Sequence, residues 1–125
     1  MRRMTPLTNA LCRAANGEAL ETAWGGIVWT ASGPLGNSRT MSFGRVTIRA
    51  GQGNPRHRHP NCDEILHVIS GQIEHTLGEE PCTMGPGDTI SIPQGVWHQA
   101  RALAGADAVL VICFSSADRM TEVDQ

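Results

Sequence analysis

The 125-residue chain predicts an all-β fold, either a β-sandwich or a closed barrel built from short strands. Three observations carry that expectation. Fourteen glycines and seven prolines cut the chain into short apolar runs bounded by turns. Those runs alternate, or are continuously apolar, over the length of a strand and not of a helix. No internal repeat or low-complexity tract interrupts them. The length suits one domain around one core, with residues 1–125 read as a single unit.

From the N-terminus, residues 5–20 (TPLTNALCRAANGEAL) mix helix formers with Asn16-Gly17, a stop signal, and predict a short helix or irregular arm. Residues 21–31 (ETAWGGIVWTA) predict a strand interrupted at Gly25-Gly26, where a bulge would suit. Residues 41–50 predict the first regular strand. Arg45 and Arg49 share one of its faces, and one of them would meet an anionic substrate if that face is inward. Residues 64–70, rich in Ile, Leu and Val, form a strand that stops at Gly71. Residues 72–77 alternate, so that Ile73, His75 and Leu77 share a face. Short strands follow at 82–84, 89–92 and 97–103, with Trp97 expected between the sheets. Residues 108–114 (AVLVICF) are the most apolar run and predict a central strand. The expected layout is an arm over 1–39, a core over about 40–115, and a polar tail of no fixed path over 116–125.

Within this framework one stretch carries chemistry, residues 51–71, GQGNPRHRHPNCDEILHVISG. His57 and His59 are two apart, which on a strand points both imidazoles the same way. Pro60-Asn61-Cys62-Asp63 reads as a turn, and a hairpin there returns the Glu64 carboxylate beside the histidines. Residues 87–98, GDTISIPQGVWH, add a strand, a Pro-x-Gly turn and His98. Two or three imidazoles with one carboxylate make a divalent-metal site with positions left open. His67 lies three residues after Glu64, on the other face of its strand, and reads as structural. Arg56 and Arg58 alternate with the histidines and should point away from them.

The two stretches resemble the two motifs of the cupin superfamily, in its small single-domain type. The first runs Gly51, five residues, His57-x-His59, four residues, Glu64, six residues, Gly71. The second runs Gly87, five residues, Pro93-x-Gly95, two residues, His98. Where the family commonly has Asn four residues after that histidine, this chain has Ala102, which removes a polar group but no ligand. The resemblance covers about a third of the chain. It implies a jelly-roll β-barrel with one divalent ion (Fe, Mn, Ni, Zn or Cu) inside, held by His57, His59, Glu64 and His98. It also implies a homodimer, in which residues 20–50 cover an edge or exchange strands.

Composition removes several function classes. A net charge of −2 supplies no basic field for nucleic acid, and no apolar run is long enough to span a membrane. Met1-Arg2-Arg3-Met4 looks like the start of a signal peptide, but no apolar segment follows, and a cytoplasmic location is expected. Cys12, Cys62, Cys82 and Cys113 are dispersed and read as free thiols. The chain has no Lys, which excludes Schiff-base chemistry, and no Tyr, which excludes a phenolic acid.

Proton transfer therefore falls to His, Asp, Glu, Cys or metal-bound water. His75 is the candidate catalytic group: among aliphatics it is either a hydrogen-bonded core residue or an acid–base partner of the substrate. The resulting expectation is a metal-dependent enzyme acting on a small organic molecule, a dioxygenase-like oxidoreductase. A non-redox isomerase, lyase or decarboxylase, and a small-molecule binding module without catalysis, are the alternatives.

Overall fold

The structure is a computed structural model that describes residues 6–125; Met1-Arg2-Arg3-Met4, which looks like a signal-peptide start without the apolar segment to follow, lies outside the described residues. The chain enters through a short helix α1 (Leu7–Ala10) and a 3-10 turn (Ala14–Asn16). Eleven strands follow among the described residues: β1 (Glu18–Glu21), β2 (Gly25–Ala31), β3 (Ser42–Ile48), β4 (His57–Arg58), β5 (Glu64–Ser70) and β6 (Ile73–Leu77). The rest are β7 (Glu80–Met84), β8 (Thr89–Ile92), β9 (His98–Ala102), β10 (Ala108–Phe114) and β11 (Glu122–Val123). They form two antiparallel sheets, ordered β1-β2-β3-β10-β5-β8 and β11-β4-β9-β6-β7. The sheets face each other in the jelly-roll manner but are not joined into a hydrogen-bonded ring, so the expected barrel is open.

The β10 run AVLVICF lies between β3 and β5, as its apolar character requires. Ala108, Leu110, Ile112 and Phe114 turn inward and are buried, while Val109, Val111 and Cys113 face outward. They meet Val46, Ile48, Leu66, Val68, Ile73 and Ile92 in one core. Leu110 is 1% exposed, and cutting it to Ala would cost roughly 2–5 kcal/mol by leaving a cavity. Gly71 turns the chain from β5 to β6 at φ 75°, and a Cβ there would run into the Asp107 carbonyl.

Four expectations change. The break expected at Gly25-Gly26 falls earlier, between β1 and β2, which pair from Glu18↔Trp29 to Glu21↔Gly26. Gly25 and Gly26 themselves pair with Ile48 and Thr47 of β3, where a Cβ on Gly25 would meet the Thr47 carbonyl. The six-stranded sheet therefore begins at Glu18, inside the expected arm. The tail is also ordered: β11 pairs with β4, and Asn61 clamps it through Asn61 Nδ2 to Asp118 O (3.1 Å) and Met120 N to Asn61 Oδ1 (2.8 Å). Trp97 does not pack between sheets; it is half-exposed, with the Arg58 and Arg56 guanidinium carbons 4.6 and 5.8 Å from its ring.

The fourth change moves the site. The 60–63 turn does not close a hairpin. β4 belongs to the five-stranded sheet and β5 to the six-stranded one, so the turn carries the chain from one sheet to the other. Glu64 thus meets the histidines from across the interior and not from beside them. No helix among the described residues is long and apolar enough to cross a membrane.

Candidate metal centre

His57, His59, Glu64 and His98 each offer one ligand atom, and these four atoms lie within 4.8 Å of one another. Strand pairing explains half of this. His57 on β4 is directly opposite His98 on β9, with ring centroids 4.2 Å apart. The other half comes from two docked turns. The Pro93-Gln94-Gly95 turn bonds to the 59–63 segment through Gly95 N to His59 O (3.0 Å), Gln94 N to Asp63 Oδ1 (2.8 Å) and Gln94 Nε2 to Pro60 O (2.6 Å). The two sequence motifs are therefore one hydrogen-bonded unit.

Each imidazole is oriented by a backbone carbonyl. Nδ1 donates to Pro55 O from His57 (2.7 Å), to Met120 O from His59 (3.0 Å) and to Val96 O from His98 (2.9 Å). A carbonyl only accepts, so the proton of each neutral ring sits on Nδ1 and the Nε2 lone pair is free. Glu64 Oε1 lies 3.2 Å from His59 Nε2 and 3.1 Å from His98 Nε2. Those distances suit hydrogen bonds, yet with the protons on Nδ1 only lone pairs face one another. His59 Nε2, His98 Nε2 and Glu64 Oε1 are accordingly buried without a hydrogen-bond partner. Such a set of converging donors suits a divalent transition cation.

The electrostatics favour the ligand forms. Burial alone would raise the Glu64 carboxyl; in the metal-free site, hydrogen bonds from His59 and His98 and the charge those rings carry when protonated outweigh it and lower the pKa to about 2. Burial, reinforced by His98, lowers His57 to about 4. At neutral pH the site thus presents an ionised carboxylate and a neutral His57.

The four groups open onto a cavity of about 250 Å³ with mostly apolar walls, among them Ile27, Leu66, Leu110, Ile112 and Phe114. His75 stands in that cavity, fully buried, with neither ring nitrogen hydrogen-bonded to a described residue. Its strand partner is Ala100, whose small side chain leaves it room, and its ring lies parallel to that of His98 at 6.0 Å. Burial first, and His98 second, lower its pKa to about 4.

The remaining polar residues of the sequence reading lie elsewhere. His67 faces out, its Nδ1 2.7 Å from Thr89 Oγ1. Arg45 is on the exposed face of β3, and Arg49 is spent on the Ala23 carbonyl at 2.6 Å, so neither reaches the cavity. Arg56 and Arg58 point away and pair with Glu79, Asp124 and Glu122. The reading missed Arg119 and Thr121, which line the cavity, and the Met120 carbonyl that orients His59. They sit in a polar tail with no pattern to single them out.

Comparison with known proteins agrees with this geometry. The profile described as "Cupin domain" matches residues 44–114, more than half of the chain. The protein belongs to the cupin family. Among its relatives is germin-like protein 3-8 of Oryza sativa subsp. japonica, 33% identical over 85 residues, which are 64% of this chain and 38% of that protein. Oxalate oxidase 1 of Hordeum vulgare is 30% identical over 94 residues, 69% of this chain and 47% of that one. The chain thus spans less than half the length of either. The crystal structure of Lactobacillus farciminis oxalate decarboxylase in its formate complex shares the fold, with a TM-score of 0.80 at 16% identity over 87% of this chain and 34% of that one.

Proposed function

We propose that this chain is a metal-dependent enzyme that holds one divalent ion on His57, His59, Glu64 and His98 and oxidises a small organic substrate with dioxygen, as a dioxygenase-like oxidoreductase. One observation carries the reading: the three Nε2 lone pairs and Glu64 Oε1 converge, with buried donors left unsatisfied, at the wall of a small apolar cavity. A bound ion would supply Lewis acidity and, if it is iron, manganese or copper, redox chemistry. The chain's own residues do the rest. The Pro55, Val96 and Met120 carbonyls hold the rings in the ligating tautomer, and the aliphatic walls exclude water and strengthen charge interactions inside. His75, neutral and with both ring nitrogens uncommitted, would take up or deliver a proton at the substrate.

That same proton partner favours a second reading, a non-redox decarboxylase, lyase or isomerase on the same ligands, since such reactions turn on proton transfer. The oxalate oxidase and oxalate decarboxylase relatives support a compact substrate under either reading and make oxalate the first compound to test. The test is metal analysis of the purified protein followed by oxygen-electrode measurements with and without chelator. Oxygen consumption in step with substrate loss, abolished by chelation, is the expected result. Substrate loss without oxygen consumption would replace the first reading by the second. Recovery of every candidate substrate unchanged would overturn both.

We further propose a homodimer, supported by exposed Leu20, Met41 and Phe43 in the stretch expected to pair, and a reducing, cytoplasmic setting, supported by four unbridged cysteines.

A further inference from the structure

We infer that Arg119 is the anion-recognition residue of this cavity, so that the substrate it admits carries a carboxylate. The inference rests on the reading of the cavity as a substrate site and adds the charge of what enters it. Arg119 lines the same cavity as the four ligand atoms and His75. Its guanidinium carbon lies 4.7 Å from the Trp29 ring and 5.1 Å from the Phe114 ring, and the Phe114 ring lies 4.9 Å from that of His59. Nη1 donates to Thr121 Oγ1 at 2.6 Å, and that oxygen is 3.2 Å from His59 Nδ1. Two aromatic rings and one hydroxyl therefore hold the guanidinium against the metal centre.

What is missing is a counter-ion. Among the described residues Arg119 makes no ion pair, whereas Arg56 and Arg58, on the outer surface nearby, are paired with Glu79, Asp124 and Glu122. Glu64 is the one acidic residue lining the cavity, and it faces the ligand nitrogens. Burial lowers the guanidinium pKa while the Glu64 charge raises it, and an arginine keeps its charge throughout. With a divalent ion in place, the cation and Arg119 together exceed the single negative charge of Glu64. A carboxylate that meets the open metal positions at one end and the guanidinium fork at the other balances that excess.

A purely structural role for Arg119, fastening the tail, has less to explain. The tail is already fixed by both Asn61 bonds, by the His59–Met120 bond, by Arg58–Glu122 and by Asp124 N to Arg56 O.

The experiment measures binding and not turnover. Calorimetric titrations of the metal-loaded chain compare oxalate and glycolate with their neutral amides, oxamide and glycolamide. The wild-type protein should prefer the carboxylates, and Arg119→Gln should lose about tenfold or more of that preference with metal content unchanged, as expected for a charge-assisted hydrogen bond. Arg119→Lys should keep part of it. Equal preference in wild type and Arg119→Gln, or no preference in wild type, would overturn the inference. If Arg119→Gln does not fold, chelated wild-type protein decides: it should still favour carboxylate over amide, and indifference would count against Arg119. Loss of the preference in a protein that turns over nothing would still support Arg119 and would refute only the enzymatic reading. Turnover of a neutral substrate with no carboxylate preference would refute only Arg119.

Discussion

The carbonyl oxygen of Met120, five residues from the C-terminus, accepts the Nδ1 proton of His59 at 3.0 Å. A polar tail thereby fixes the tautomer of His59, which is buried to 2% exposure with its Nε2 facing Glu64. Partners of this kind orient the ligand ring, and losing one typically weakens metal affinity about 10–100-fold. Removing residues 118–125 should therefore lower affinity by that order while costing the five-stranded sheet only its edge strand β11. Metal titration against a competing chelator, with circular dichroism as the folding check, tests it. Unchanged affinity in the truncated chain would show that His59 orients itself.

This tail marks the boundary of what the sequence disclosed. The clustering of His57, His59, Glu64 and His98 was legible because alternation and turn chemistry act locally. His57-x-His59 shares a face, and Pro93-x-Gly95 delivers His98 at the start of β9. The assignment of His75 to the interior followed from the same period of two, and the structure buries it fully. What was not legible depends on contacts between distant segments. The 60–63 turn has the composition of a hairpin turn, and only the pairing of β4 with β9 and β5 with β10 makes it a crossing between sheets. Arg119 has no periodic neighbours at all; it matters because Trp29 and Phe114, 90 and five residues away, form its seat.

Replacing His59 and His98 together by Ala should abolish metal binding. The double variant leaves His57 and Glu64, and two protein donors do not hold a divalent ion against water and buffer. Elemental analysis after dialysis is the check, and retained stoichiometric metal would sink the assignment of the site.

The metal-free protein should lose stability on acidification in two stages. Burial lowers His57 and His75 from 6.5 to about 4, so between these values the unfolded chain binds protons that the folded chain refuses. Stability in this window falls as pH falls, and is fully restored above about 6.5. Glu64, lowered from 4.5 to about 2, then contributes stability that is present above 4.5 and lost as pH drops toward 2. Thermal melts of chelated protein should show the midpoint dropping from pH 7 to pH 4, with a shallower drop in His75→Gln. A flat profile across that range would contradict the burial of both histidines as neutral groups.

Sedimentation velocity at micromolar concentration should show a dimer. Leu20, Met41 and Phe43 are 52%, 51% and 40% exposed, and among the described residues β1 leaves one edge of the six-stranded sheet unpaired. Leu20→Lys combined with Phe43→Glu should shift the population to monomer without unfolding it. A wild-type monomer across the concentration range would refute the pairing.

His75 provides the most demanding test. A neutral imidazole has one donor and one acceptor, and leaving both unpaired in an apolar cavity costs stability, of order 1–3 kcal/mol for each unsatisfied group. Such a cost is tolerated where a ligand completes the hydrogen bonds. Gln is neutral, keeps a donor and an acceptor and fits the space opposite Ala100, but it does not exchange protons near neutral pH. His75→Gln should therefore keep its metal and its substrate affinity while turnover falls by roughly 10²–10⁴-fold, the range for loss of a general acid–base group. The pH profile supplies a readout that a packing role would not move. Burial lowers His75, which acts as a base when deprotonated, so wild-type turnover should carry an acid limb that is altered in the variant over the pH range where metal content is unchanged. Full turnover with an unchanged acid limb in His75→Gln would reduce His75 to a core residue and leave the proton to metal-bound water.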